Sequence, residues 1–182
     1  MAKRHLDKDR VDPGKDSRSR LAASLIAGAV AIAVNTALLA GADALGLITA
    51  RGGLLRLLKD IAGRTAPLID LAWVWNDVLA PATSGPVFQT GFHVVVGLLM
   101  AILYAFVLEP VLPGRPWVKG LIYAGLVWLL NAFAVLPLIG EGIAGSRQLG
   151  VAGMVGFAVI HTVFFVLLAV LYERLRAGTP RA

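Results

Sequence analysis

Four stretches of the chain run through apolar residues almost without interruption, at about 21–42, 88–112, 117–140 and 150–173. The first is free of charge from Leu21 to Ala42, the second from Phe88 to Leu108, the third from Gly120 to Gly140 and the fourth from Leu149 to Tyr172. Each reaches the roughly 20 residues needed to cross a bilayer's hydrocarbon layer, so the pattern predicts four transmembrane helices with both termini on one side. Between the first and second runs the pattern changes. Leu54, Leu55, Leu57, Leu58 and Ile61 alternate with Arg51, Arg56, Lys59, Asp60 and Arg64 at helical spacing; Pro67 breaks the series, and Leu68, Leu71, Ala72, Trp75, Val78 and Leu79 form a second apolar face. The two pieces of this 51–80 insertion, about 51–63 and 67–80, are too short to span. They predict two short amphipathic helices along the outer membrane surface with Trp73 and Trp75 at headgroup depth, a re-entrant hairpin being the alternative. Residues 1–20 are polar, hold Pro13-Gly14 and alternate in charge, and read as a flexible cytoplasmic arm ahead of a four-helix domain at 21–176.

Polar positions inside the apolar runs recur at matched spacing. Asn35 lies ten residues after Leu25 and Asn131 ten after Leu121; His93 and Tyr104 are eleven apart, as are His161 and Tyr172. Polar side chains are costly in lipid and face the bundle interior, so the recurrence predicts an all-α bundle of two tandem two-helix repeats, related by a two-fold axis along the membrane normal, with Asn35, His93, Asn131 and His161 pointing inward. Eleven residues are close to three turns, which puts each His on one helix face with its Tyr. The tyrosines fall toward the cytoplasmic ends and read as interfacial phenols, like Trp117 at the start of span three. By position, His93 belongs near the outer end of its span and His161 nearer the middle of its own. Small residues every fourth position (Ala29, Ala33, Ala37 and Gly41; Gly97, Ala101 and Ala105; Ala152 and Gly156) predict ridges for close helix packing, within the bundle or against a second copy. Pro137 inside span three predicts a kink or early stop.

Composition agrees with the membrane. The chain is 58% hydrophobic and 15% charged, with a mean hydropathy of +0.77, against about 45–50% and about 25% for soluble domains. The formal charge of +6 does not indicate nucleic acid, because the basic residues gather at the ends of the apolar runs. Twelve Lys and Arg fall on the side of the termini and five on the other, so the termini are expected in the cytoplasm of a bacterial inner membrane. Ala40-Gly41-Ala42 matches a signal-peptidase pattern, but the apolar run before it is longer than the roughly 7–15 residues of a signal peptide, and span one is expected to be retained.

Little in the sequence points to catalysis. With no cysteine, thiolate metal sites and Cys nucleophiles are excluded. No H-E-x-x-H, G-x-S-x-G or P-loop motif occurs, and Ser24, Ser84 and Ser146 have no matched base. The leading expectation is a non-enzymatic structural or accessory membrane protein whose buried Asn/His set specifies the bundle. Its partners would be the lipid bilayer and a homo-oligomer or larger membrane complex, not nucleic acid. Two alternatives use the same residues. His93 and His161 on facing helices could ligate haem b as an electron-transfer subunit. An Asn35, His93, Asn131 and His161 lining could serve a small oligomeric transporter or channel.

Pro116-Trp117-Val118-Lys119-Gly120, followed by Gly125, Trp128, Pro137-Leu138-Ile139-Gly140, His161 and Tyr172, resembles a group of small four-helix bacterial inner-membrane proteins of unassigned function. The likeness runs from span two onward and leaves out the 51–80 insertion. It implies location and helix count, and no catalytic residue.

Overall fold

The apolar runs all form helices. In the computed structural model, which describes residues 13–49 and 52–178, α1 (Pro13–Ala44) is followed by α2 (Gly53–Thr65). A 3₁₀ turn at Ala66–Ile69, with Pro67 in its first positions, leads to α3 at 72–82. Then come α4 (Pro86–Val111), α5 (Pro116–Leu138) and α6 (Val151–Ala177). The sequence readings on residues 1–12, on Arg51 and on Arg181 lie outside the described residues. Among the described residues there is no strand. Four helices, α1, α4, α5 and α6, are long and apolar enough to cross a membrane, which makes this an all-α, multi-pass membrane protein.

Proline shapes three of the helices from within. The turns Trp75–Leu79, Tyr104–Leu108 and Asn131–Val135 widen to π-helical geometry, and each runs directly into Pro81, Pro110 or Pro137. A proline has no N–H to donate and its ring crowds the carbonyl four residues back, so the preceding turn opens to bond one residue further on. The kink or stop expected at Pro137 is therefore a wide turn followed by the last residues of α5.

α1 packs between α4 and α6, and α6 between α1 and α5. α4 and α5 meet around Tyr104–Leu108, near the tight turn that joins them, and where Tyr123 Oη donates to Met100 O at 3.2 Å. The α4 ridge packs as expected: a Cβ on Gly97 would lie 2.5 Å from Ile32 Cδ1, and one on Gly28 would lie 2.6 Å from Ala101 Cβ. The α1 ridge does not. Ala29, Ala33, Ala37 and Gly41 face outward, and the buried stripe is Ala23, Ala27, Ala31, Asn35 and Leu39. α6 likewise buries Gly153, Phe157, Ile160, Phe164 and Leu168 rather than Ala152. Both helices turn inward the face that carries the polar or bulky contacts, because an Asn left in lipid costs more than an exposed alanine ridge.

The end of the bundle where α1 begins and α6 ends is closed by aromatic rings and ion pairs. Tyr104 and Tyr172 are fully buried rather than interfacial. Tyr104 stacks on Tyr123 with centroids 6.1 Å apart and meets Tyr172 edge-on at 5.7 Å. Beyond them, Lys119 Nζ lies 3.3 Å from both Glu109 and Glu173. Arg20 reaches Glu109 at 3.3 Å, and Arg176 pairs with Asp16 at 2.8 Å. One ionic layer therefore ties α1, α4, α5 and α6 together. Residues 13–20, expected in the arm, are helical because Asp16, Ser19 and Arg20 are bonded into this layer.

At the far end the insertion folds into its two short helices, with α3 starting later than 67 because the Pro67 turn ends in a left-handed Asp70 (φ 57). α2 begins against α5, where Gly53 faces Leu136. Arg56 forms an ion pair with the buried Glu141 in the loop after α5. Lys59 Nζ donates to Ser84 Oγ at 2.8 Å, and Gly63 carries the Trp75 ring of α3.

Candidate functional site

Beyond Met100, where Tyr123 Oη still bonds α5 to α4, a partly open cavity of about 240 Å³ remains between the two helices in the far half of the bundle. Met100, Phe164 and Phe165 form its floor and belong also to the packed tyrosine core. Gly52, Gly53, Leu54 and Leu55, the start of α2, form part of its far wall. Asn35, His93, Asn131 and His161 all line it, as does Gln89. The four polar residues expected inside are thus gathered in one layer.

Their bonding is not symmetrical. Asn35 Nδ2 donates to the Ile160 carbonyl at 3.2 Å, which fixes its Oδ1 as the acceptor for His93 Nε2 at 3.1 Å. That chain joins α4, α1 and α6 across the bundle. Asn131 Nδ2 instead donates to Val127 O of its own helix at 2.9 Å, and His161 Nδ1 donates to Phe157 O, also within its helix, at 2.9 Å. The matched spacing of the two halves therefore has no counterpart in their hydrogen bonds: one Asn/His pair crosses the bundle and the other turns back on its own backbone.

This bonding leaves acceptors toward the cavity. With Nδ1 donating, a neutral His161 ring presents Nε2 as a lone pair. Neither His161 Nε2 nor Asn131 Oδ1 has a hydrogen-bond partner among the described residues. The Phe157 ring lies against His161 with centroids 4.1 Å apart and holds the imidazole in place.

Both histidines open onto the same cavity. Asn35 links His93 to the carbonyl of Ile160, the residue before His161. The haem arrangement still does not fit. His93 Nε2 is held by Asn35, and about 240 Å³ is below even the roughly 300–1,000 Å³ of sites for drug-sized ligands. Among the described residues no group of three His, Cys, Asp or Glu could hold a metal.

Sequence reasoning did not find Gln89, the α2 start or the Glu141–Arg56 pair. Gln89 lies between Phe88 and Phe92 and has no counterpart four residues before His161, where Phe157 lies. Glu141 sits between glycines and reads as a turn. No family model, curated protein or solved structure matches this chain.

Proposed function

We propose that this is a non-catalytic bacterial inner-membrane protein, with cytoplasmic termini, whose bundle holds a small amphipathic molecule in the cavity between α4 and α5. The observation that carries the reading is the division of labour between the two Asn/His pairs. Asn35 and His93 bond each other and the Ile160 carbonyl and hold the bundle together. Asn131 and His161 keep an acceptor each for an occupant. The apolar remainder of the lining suits a molecule drawn from lipid. A channel reading gains no support, because the polar layer is floored by Tyr104, Tyr123, Tyr172 and Phe165, each at most 2% exposed.

The orientation rests on the excess of Lys and Arg on the side of the termini. On this reading α2 and α3 lie at the periplasmic surface, where exposed Leu68, Leu71 and Trp73 meet headgroups. The protein would act in the bilayer as an accessory to a larger assembly or to a second copy of itself.

The absence of native cysteine allows a direct test. Cysteine placed at Asp70 is expected to react with a membrane-impermeant maleimide in intact spheroplasts, and cysteine at Arg115 only after lysis; the reverse result overturns the orientation. Native mass spectrometry is expected to show a small-molecule adduct on the wild type that Val96→Trp, which fills the cavity, removes. A wild type without an adduct, or one that Val96→Trp leaves in place, overturns the binding reading.

A further inference from the structure

We infer that the occupant is an uncharged amphiphile with a hydroxyl head, whose O–H donates to His161 Nε2. This rests on the binding reading above and adds the chemistry of the head. The Phe157 carbonyl can only accept, so its 2.9 Å bond with His161 Nδ1 places the ring proton on Nδ1. No Asp or Glu lines the cavity among the described residues, so a charged imidazole would have no countercharge. The ring is neutral, and Nε2 is a lone pair. Asn131 spends one N–H on Val127 O at 2.9 Å, and Gln89 spends one on Ser84 O at 2.9 Å. Each amide keeps an oxygen and a second N–H that no described residue engages. His161 Nε2 is different: it can only accept, and no described residue supplies the donor.

A hydroxyl answers this wall because it both gives and takes a hydrogen bond. Its O–H meets His161 Nε2, and its oxygen still accepts from an amide such as Asn131. An ether, an ester or a ketone accepts but cannot donate, and leaves the imidazole unmet in apolar surroundings. A charged head fares worse. No Lys, Arg, Asp or Glu lines the cavity among the described residues, so a phosphate or an ammonium would be desolvated without a countercharge. Around the polar groups the lining is apolar, with Phe157 against the imidazole at 4.1 Å between centroids and Phe92, Phe164 and Phe165 beside it. At about 30 Å³ for a water-sized group, about 240 Å³ takes the head with one ring or a short run of chain. The remainder leaves by the open side of the cavity. Two kinds of membrane molecule carry such a head: a single acyl chain on glycerol, and a quinol with its phenolic hydroxyls.

The test uses the full chain in nanodiscs, read by native mass spectrometry, with dodecanol, methyl dodecyl ether and dodecyl phosphate as probes. The wild type is expected to bind the alcohol about tenfold more tightly than the ether, the worth of one well-placed hydrogen bond in a dry site, and the phosphate least. His161→Phe is expected to bring alcohol and ether level while ether binding persists, and His161→Gln, which keeps an acceptor, to retain part of the preference. Equal binding of alcohol and ether by the wild type, or tighter binding of the phosphate, overturns the hydroxyl assignment and leaves the cavity reading standing. Binding of none overturns both. A second arm compares 1-monododecanoylglycerol with decylhydroquinone: the tighter of the two names the source of the head, and failure of both to outbind the ether again overturns the assignment. Should His161→Phe fail to fold, the wild-type comparison of alcohol with ether decides the matter.

Discussion

Asn35 and His93 are 58 positions apart in the chain and bonded at 3.1 Å inside the bundle. Since Asn35 also donates to Ile160 O at 3.2 Å, one amide holds three helices in register. Replacing Asn35 with Leu leaves the His93 donor and the Ile160 carbonyl without that partner. The expected cost is about 1–2 kcal/mol in thermal unfolding in detergent. Asn131→Leu gives up only a bond within its own turn and is expected to cost less than about 0.5 kcal/mol. Equal losses would show that the two amides share one role.

Lys119 is 9% exposed at its side chain and stands between Glu109 and Glu173. Lys119→Met leaves two carboxylates facing each other in a nearly closed layer. A fully buried broken pair costs about 3–5 kcal/mol; because both glutamates reach some solvent, a loss of about 2 kcal/mol is expected. Glu173→Gln, at the more open edge, is expected to cost less than half of that.

The Arg56–Glu141 pair is lopsided, with side-chain exposures of 47% and 5%. Arg56→Leu strands a buried carboxylate and is expected to cost about 2 kcal/mol locally. Glu141→Leu returns a half-exposed guanidinium to water and is expected to cost under about 1 kcal/mol. Hydrogen exchange across residues 53–65 is the direct measure, and faster exchange in Glu141→Leu than in Arg56→Leu would contradict the assignment.

Two glycines separate packing from propensity. A Cβ on Gly120 would lie 2.7 Å from Val166 Cα and 2.8 Å from Phe165 O, both backbone atoms. Gly120→Ala is therefore expected to push α5 off α6 at a cost of about 1–3 kcal/mol. Gly41 has nothing within 4 Å, so Gly41→Ala should stabilise α1 by roughly 0.5–1 kcal/mol through helix propensity alone. A destabilising Gly41→Ala would mean that this outward ridge is covered in the membrane.

The spans were legible because length and hydropathy are local properties, and the Asn/His layer because polarity in lipid has few places to go. Which face of α1 turns inward was harder. The helix is apolar nearly all round, so its small residues repeat with the right period but without a phase. Asn35 carried the missing phase, since Ala31, Ala27 and Ala23 fall four, eight and twelve positions before it on the stripe that is buried. The tyrosines were misplaced because interfacial phenols and core phenols have the same sequence; only the ionic layer beyond them, built from residues far apart in the chain, makes their position interior. Helical residues 13–20 were missed for the same reason, their partners being Glu109 and Arg176. That Asn131 and His161 bond inward on their own helices is set by the cavity between α4 and α5, which no local pattern encodes.

The floor of stacked tyrosines has a directional meaning. Below Met100 and Phe165 the bundle is filled by the packed tyrosine core, so the cavity above it does not continue toward the ionic layer. On the proposed reading, an occupant samples only the leaflet on that side, and the ionic layer at the opposite end is shielded from its arrival and departure.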